Sequence, residues 1–64
     1  MKFILPDKGT TIIDHSPGPI DRILLEMGIN PLEVIVSRDG KMIPDDTIVG
    51  PEDEIRVIRI AHGG

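Results

Sequence analysis

Gly63 and Gly64 follow directly on Ala61-His62 and the apolar run Ile55 to Ile60, and they are where chemistry is most readily placed in this chain. A glycine pair in that position has no turn or cap to make, and glycine loses more conformational freedom on ordering than any other residue. What the pair offers is slenderness. With no Cβ on either residue, the Gly64 α-carboxylate can be threaded down a tunnel too narrow for a side chain. The expected reaction is therefore on the chain's own carboxyl group, carried out in the active site of a second protein. The plainer reading is a frayed terminus without function. His62 stands beside the pair and reads as a tail residue or partner contact rather than a catalytic base.

Other candidate groups carry less. The chain has no cysteine, which removes disulfides, thiolate metal sites and a thiol nucleophile together. Any sulfur handled here cannot ride on a side-chain thiol. Asp14, His15, Ser16 and Ser37 supply the residue types of a hydrolytic triad, but at arbitrary spacing and without a strained turn around either serine. Asp45-Asp46 and Glu52-Asp53-Glu54 lack the alternating ligand pattern of a calcium loop and read as a solvated acidic rim that can steer a basic partner. The sequence thus predicts no catalytic residue, no metal site, no bound cofactor and no enzymatic activity of its own.

The elements that must present the tail are short. Sixty-four residues make one domain, and a chain of this size buries only about 60% of the surface its unfolded form exposes. The composition, 39% apolar and 28% charged, is that of a soluble globule. Eleven acids against seven Lys and Arg give a formal charge of −4, and the only aromatic residue is one Phe. A basic face and stacking platforms are both lacking, so direct nucleic-acid binding is not expected. Nothing approaches the roughly eighteen apolar residues of a membrane span, and Met1-Lys2-Phe3 opens into a strand rather than a signal peptide. The expectation is a cytoplasmic protein, monomeric by itself.

Lys2 to Leu5 reads as a strand, Pro6 to Gly9 as a turn, and β-branched Thr10 to Ile13 as the return strand. Asp14 to Pro19 marks a loop, with Ser16 or Gly18 as helix N-cap and a proline at the first helical position. Ile20, Ile23, Leu24 and Met27 then form the apolar stripe of a helix of about ten residues, closed by Gly28 and Pro31. A strand from Leu32 or Glu33 to Arg38, the hairpin turn Asp39-Gly40 and Lys41 to Ile43 follow. Thr47 to Val49 reads as a turn-rich crossover, and Glu54 to Ile60 as the last strand. This order of elements predicts an α+β domain over residues 1–60, followed by a flexible tail over 61–64. It is the ubiquitin-like β-grasp arrangement, a four- to five-stranded mixed sheet with one helix on one face and a right-handed crossover. The last strand sits centrally beside the first. The helix stripe would face Phe3, Leu5, Val34, Val36, Ile55 and Val57. Alternation turns Arg56, Ile58 and Ile60 to the open face, where Ile35 and Ile4 extend an aliphatic patch suited to a partner. A slipped register would reverse this.

The segments Val34 to Pro44 and Asp53 to Gly64 resemble the ubiquitin-like sulfur carriers: the thiamine-pathway carrier ThiS, the small molybdopterin synthase subunit MoaD and the carriers for tRNA thiolation. The likeness covers nearly the whole chain. Leu24 to Pro31 looks most like the tRNA-thiolation carriers and archaeal small modifiers. Asp39 and Asp45 stand where thiamine carriers have Asn and Arg. The resemblance implies that an adenylating enzyme of the ubiquitin-activating kind consumes ATP to adenylate Gly64. A persulfide then displaces AMP and leaves a thiocarboxylate. A thiolation enzyme or sulfurtransferase takes up that sulfur, most readily for tRNA thiouridine, with molybdopterin or thiamine synthesis behind. Transfer of activated Gly64 to a target lysine is the alternative it allows. In this reading Gly63 and His62 thread the tail, and Ile58, Ile60 and Ile35 meet the partner.

Overall fold

β1 (Lys2–Leu5) and β7 (Glu54–Arg59) lie parallel and adjacent at the centre of a five-stranded sheet, with Lys2 opposite Glu54 and Ile4 opposite Arg56. The structure is a computed structural model and describes residues 1–60. β2 (Gly9–Ile12) pairs with the outer side of β1, while β4 (Val34–Arg38) and β5 (Lys41–Ile43) continue beyond β7, so the order is β2-β1-β7-β4-β5. Among the described residues only the β1–β7 pairing is parallel; the sheet is mixed. Among the described residues one α-helix, α1 (Ile20–Glu26), covers one face. The class is α+β.

At seven residues α1 is shorter than an isolated helix needs to hold its shape in water, so packing must hold it. Ile20, Ile23 and Leu24 are buried against Phe3, Val36, Ile55 and Val57, as the apolar stripe predicts. Each such aliphatic side chain removed from water contributes about 1.5–3 kcal/mol. Leu5, Val34 and Met27 are only partly buried at the margin of this core, whereas Met1 and Val49, which the sequence did not point to, lie inside it. The helix ends at a Schellman motif. Gly28 takes φ +81°, its N–H donates to the Leu25 carbonyl, and the Ile29 N–H donates to that of Leu24.

The helix start differs from expectation. Neither Ser16 nor Gly18 caps it; Pro19 holds that place with no side-chain hydrogen bond. The free N–H groups of Ile20 and Asp21 donate instead to the carbonyls of Thr47 and Asp45, each at 2.9 Å. Those carbonyls are available because Gly18–Pro19 (β3) pairs antiparallel with Ile48–Val49 (β6) in a separate two-stranded ribbon. The segment expected as a crossover is thus the partner that caps α1, and Val49 enters the core through it.

Other boundaries shift by local hydrogen bonding. Asn30 Oδ1 accepts from the Leu32 N–H at 3.0 Å and winds Pro31–Glu33 into a 3-10 turn, so β4 begins at Val34 rather than at Leu32 or Glu33. β2 begins at Gly9 and ends at Ile12, yet Ile13 still exchanges two 2.9 Å bonds with Met1. The Asp39-Gly40 turn has φ +53° and +79° between the facing residues Arg38 and Lys41, the type I′ geometry that matches strand twist. Asp53 pins the start of β7: its Oδ2 accepts from the Gly50 N–H at 2.7 Å and from Arg38 Nη1 at 3.2 Å. Among the described residues, no helix is long and apolar enough to cross a membrane.

Candidate functional site

The strand register decides what the open face presents. Ile55 and Val57 point into the core and Glu54, Arg56 and Ile58 point out, so β7 alternates from Glu54 to Ile58. On β4, Ile35 stands opposite Ile58, and Ser37 stands opposite Arg56. Ile4 of β1 flanks Arg56 on the other side. Ile58 is 45% exposed and Ile60 38%, while Ile35 and Ile4 are half-buried between their neighbours. Ile58 and Ile35 therefore form a contiguous aliphatic pair, with Ile60 just past the strand end. The Ile60 N–H still donates to the Glu33 carbonyl at 2.9 Å, so backbone order extends to the last described residue.

Arg59 is exposed where the alternation calls for a buried residue. It shares the parity of Ile55 and Val57, but lies opposite Val34 at the far end of the strand, and its Nη2 reaches Asp7 in the β1–β2 turn at 3.4 Å. A cleft of about 210 Å3 lies there, with Leu5, Met27 and Val57 on its walls and Arg59 at its rim.

Met42 extends the open face and was missed from sequence. It stands opposite Ser37 on β5 and is 72% exposed, whereas its neighbour Ile43 packs on the core. Alternation across Lys41-Met42-Ile43 carries that signal, but three residues are too few to read it alone. Together Ile4, Ser37, Met42, Arg56 and Ile58 line a shallow depression of about 440 Å3. Lys2 and Glu54 pair at 3.3 Å on the same face, so one of its two cations is neutralised locally.

The nominal triad is not assembled. His15 Nδ1 faces the Ser16 carbonyl at 2.6 Å and Nε2 faces Glu26 Oε2 at 2.9 Å, while Ser37 lies on the open sheet beside Arg56. With acceptors at both nitrogens the imidazolium is favoured. The Ser16 carbonyl, and after it Glu26, raise the His15 pKa above the ordinary 6.5. Asp45, Asp46 and Glu52 are exposed. No cluster of three His, Cys, Asp or Glu residues able to hold a metal ion occurs among the described residues. His62, Gly63 and Gly64 lie outside the described residues, so the tail is carried by sequence alone. No protein-family model and no curated protein matches the chain.

Proposed function

We propose that this chain is a β-grasp sulfur carrier whose C-terminal Gly64 is the reacting group. One observation carries the reading: β7 is a central strand that carries exposed Ile58 and is followed by exposed Ile60, after which the sequence reads Ala61-His62-Gly63-Gly64. The parallel β1–β7 core and single helix agree with the β-grasp arrangement. A body of this kind can be gripped on its open sheet by Ile35, Ile58 and Ile60 while the residues beyond them enter a nucleotide pocket. Four extended residues reach about 14 Å.

The chemistry follows from the poor electrophilicity of a carboxylate. In the partner enzyme, a Gly64 oxygen attacks the α-phosphorus of ATP and pyrophosphate leaves. The terminal sulfur of a persulfide then attacks the acyl carbon, and AMP departs. A thiol reduces the resulting acyl disulfide, leaving the thiocarboxylate on Gly64. Gly63 and Gly64 serve by shape, and His62 lines the entry. The acceptor suggested by the resemblance of Leu24 to Pro31 is a tRNA uridine, held on a separate thiolation enzyme because the acidic carrier is unsuited to binding RNA.

Intact-mass spectrometry of the chain after incubation with an adenylating enzyme, ATP and a persulfide donor tests the proposal. The gain expected for one oxygen replaced by sulfur, confined to the C-terminal peptide, supports it. An unmodified terminus in the complete system overturns it. Recovery of the chain in isopeptide linkage to lysine, with no thiocarboxylate, assigns the activated glycine to protein modification instead.

A further inference from the structure

The two edges of the sheet are protected unequally. β5 is three residues long, carries Lys41, and is stopped by Pro44, all devices that blunt an edge against further pairing. β2 has none of them: Gly9 to Ile13 contains neither charge nor proline, and Ile12 is 78% exposed. The direction of its free hydrogen-bonding groups follows from the register. Met1 and Ile13 exchange both backbone bonds, so in an antiparallel ladder Phe3–Thr11 and Leu5–Gly9 are the next bonded pairs. Thr10 and Ile12 therefore turn their N–H and C=O groups away from β1, toward solvent.

We propose that β2 pairs with β2 of a second copy of this chain, antiparallel about a two-fold axis at Thr11. Thr10 of each copy then stands opposite Ile12 of the other, and each pair exchanges both backbone bonds, so every outward group of the strand finds a partner. The side chains fit the same symmetry. Thr10 and Ile12 lie on the open face and meet as β-branched cross-strand pairs, while Thr11 meets its own copy on the opposite face. The choice of a second copy follows from charge. Each molecule carries −4 overall, but the two-fold register about Thr11 sets Lys8 of one copy opposite Asp14 of the other at both ends of the edge, so the isologous contact pairs unlike charges and closes at two. The pairing sets two open faces side by side in one continuous sheet. A four-residue edge buries far less than the roughly 1,200 Å2 of a stable interface, so the pairing is weak and concentration-dependent. At lower concentrations the chain is monomeric. The inference depends on the edge alone and is independent of any reaction at Gly64.

Sedimentation equilibrium of the purified chain from the micromolar to the millimolar range, with amide NMR shifts over the same range, tests this. The expected result is a mass rising from 7.0 kDa toward twice that value, with concentration-dependent shifts confined to Gly9–Ile13. Ile12→Lys, which puts a charge on an exposed side chain, and Thr10→Pro, which removes an outward N–H, should each abolish the rise while circular dichroism stays native. Should Thr10→Pro unfold the chain, Ile12→Lys decides alone. A mass constant at 7.0 kDa in the millimolar range overturns the proposal. So does a dimer that survives Ile12→Lys, or one whose shifts centre on Ile58 and Met42.

Discussion

Ile35 and Ile58 face one another across the antiparallel β4–β7 pair on the side of the sheet that α1 leaves uncovered. Their adjacency gives the open face an aliphatic centre that the fold itself does not need, since the core is complete behind it. Ile58→Glu should therefore cost about 1 kcal/mol of stability or less, read by chemical denaturation. The same change should lower thiocarboxylate formation by an adenylating enzyme about tenfold, the effect of losing an interface anchor. A variant that reacts at the normal rate would remove Ile58 from the partner surface.

The two sides of α1 should answer oppositely to truncation. Ile20 is fully buried and Leu25 is 62% exposed. Ile20→Ala is expected to destabilise by about 2–5 kcal/mol, enough to leave a domain this small largely unfolded on warming. Leu25→Ala should change the unfolding midpoint little. Comparable losses from both would mean that the helix packs by a different face.

Backbone conformation sets the third expectation. Asp39 and Gly40 both sit at positive φ, where a Cβ is disfavoured. Gly40→Ala should cost about 1–2 kcal/mol although no atom lies close enough to clash with the added methyl. Asp39→Asn, which tolerates the same conformation, should be near neutral. Thermal melts of the two variants make the comparison.

The His15 contacts predict a pH dependence with a definite sign. Because the folded state raises its pKa above 6.5, the fold binds the proton more tightly than the unfolded chain does. The associated stabilisation is fully present below about pH 6.5, and it is lost as pH rises through the folded-state value. Glu26 is near the C-terminus of α1, whose last turn has no basic residue, so the imidazolium also suits the helix dipole. His15 is solvated, and the effect on the melting temperature should be small. An NMR titration should place His15 above 6.5, and Glu26→Gln should lower it only in part because the Ser16 carbonyl contributes more. A value at or below 6.5 in the native chain would contradict the geometry.

Much of the fold was legible because its signals are periodic. The stripe Ile20, Ile23, Leu24 and the alternation of β7 each repeat often enough to be read, and Asp39-Gly40 is a turn with few alternatives. The start of α1 was not, because its N–H groups are capped by the carbonyls of Asp45 and Thr47, some twenty-five residues away, and backbone acceptors leave no residue-type signature. β3 escaped for a related reason: Gly18–Pro19 has the composition of a loop and pairs over only two residues. For the candidate site, alternation located Ile58 and Ile35, while Met42 was hidden in a three-residue strand. The tail remains a statement about composition.

The parallel contact between β1 and β7 joins the third residue of the chain to the fifty-fifth. Loop closure on that scale makes assembly a whole-chain event, slower than for a helical bundle of equal length. During synthesis the nascent body cannot complete its centre until β7 has left the ribosome. The sheet's centre is therefore the last part of the body that can close, and no stable half-domain precedes it.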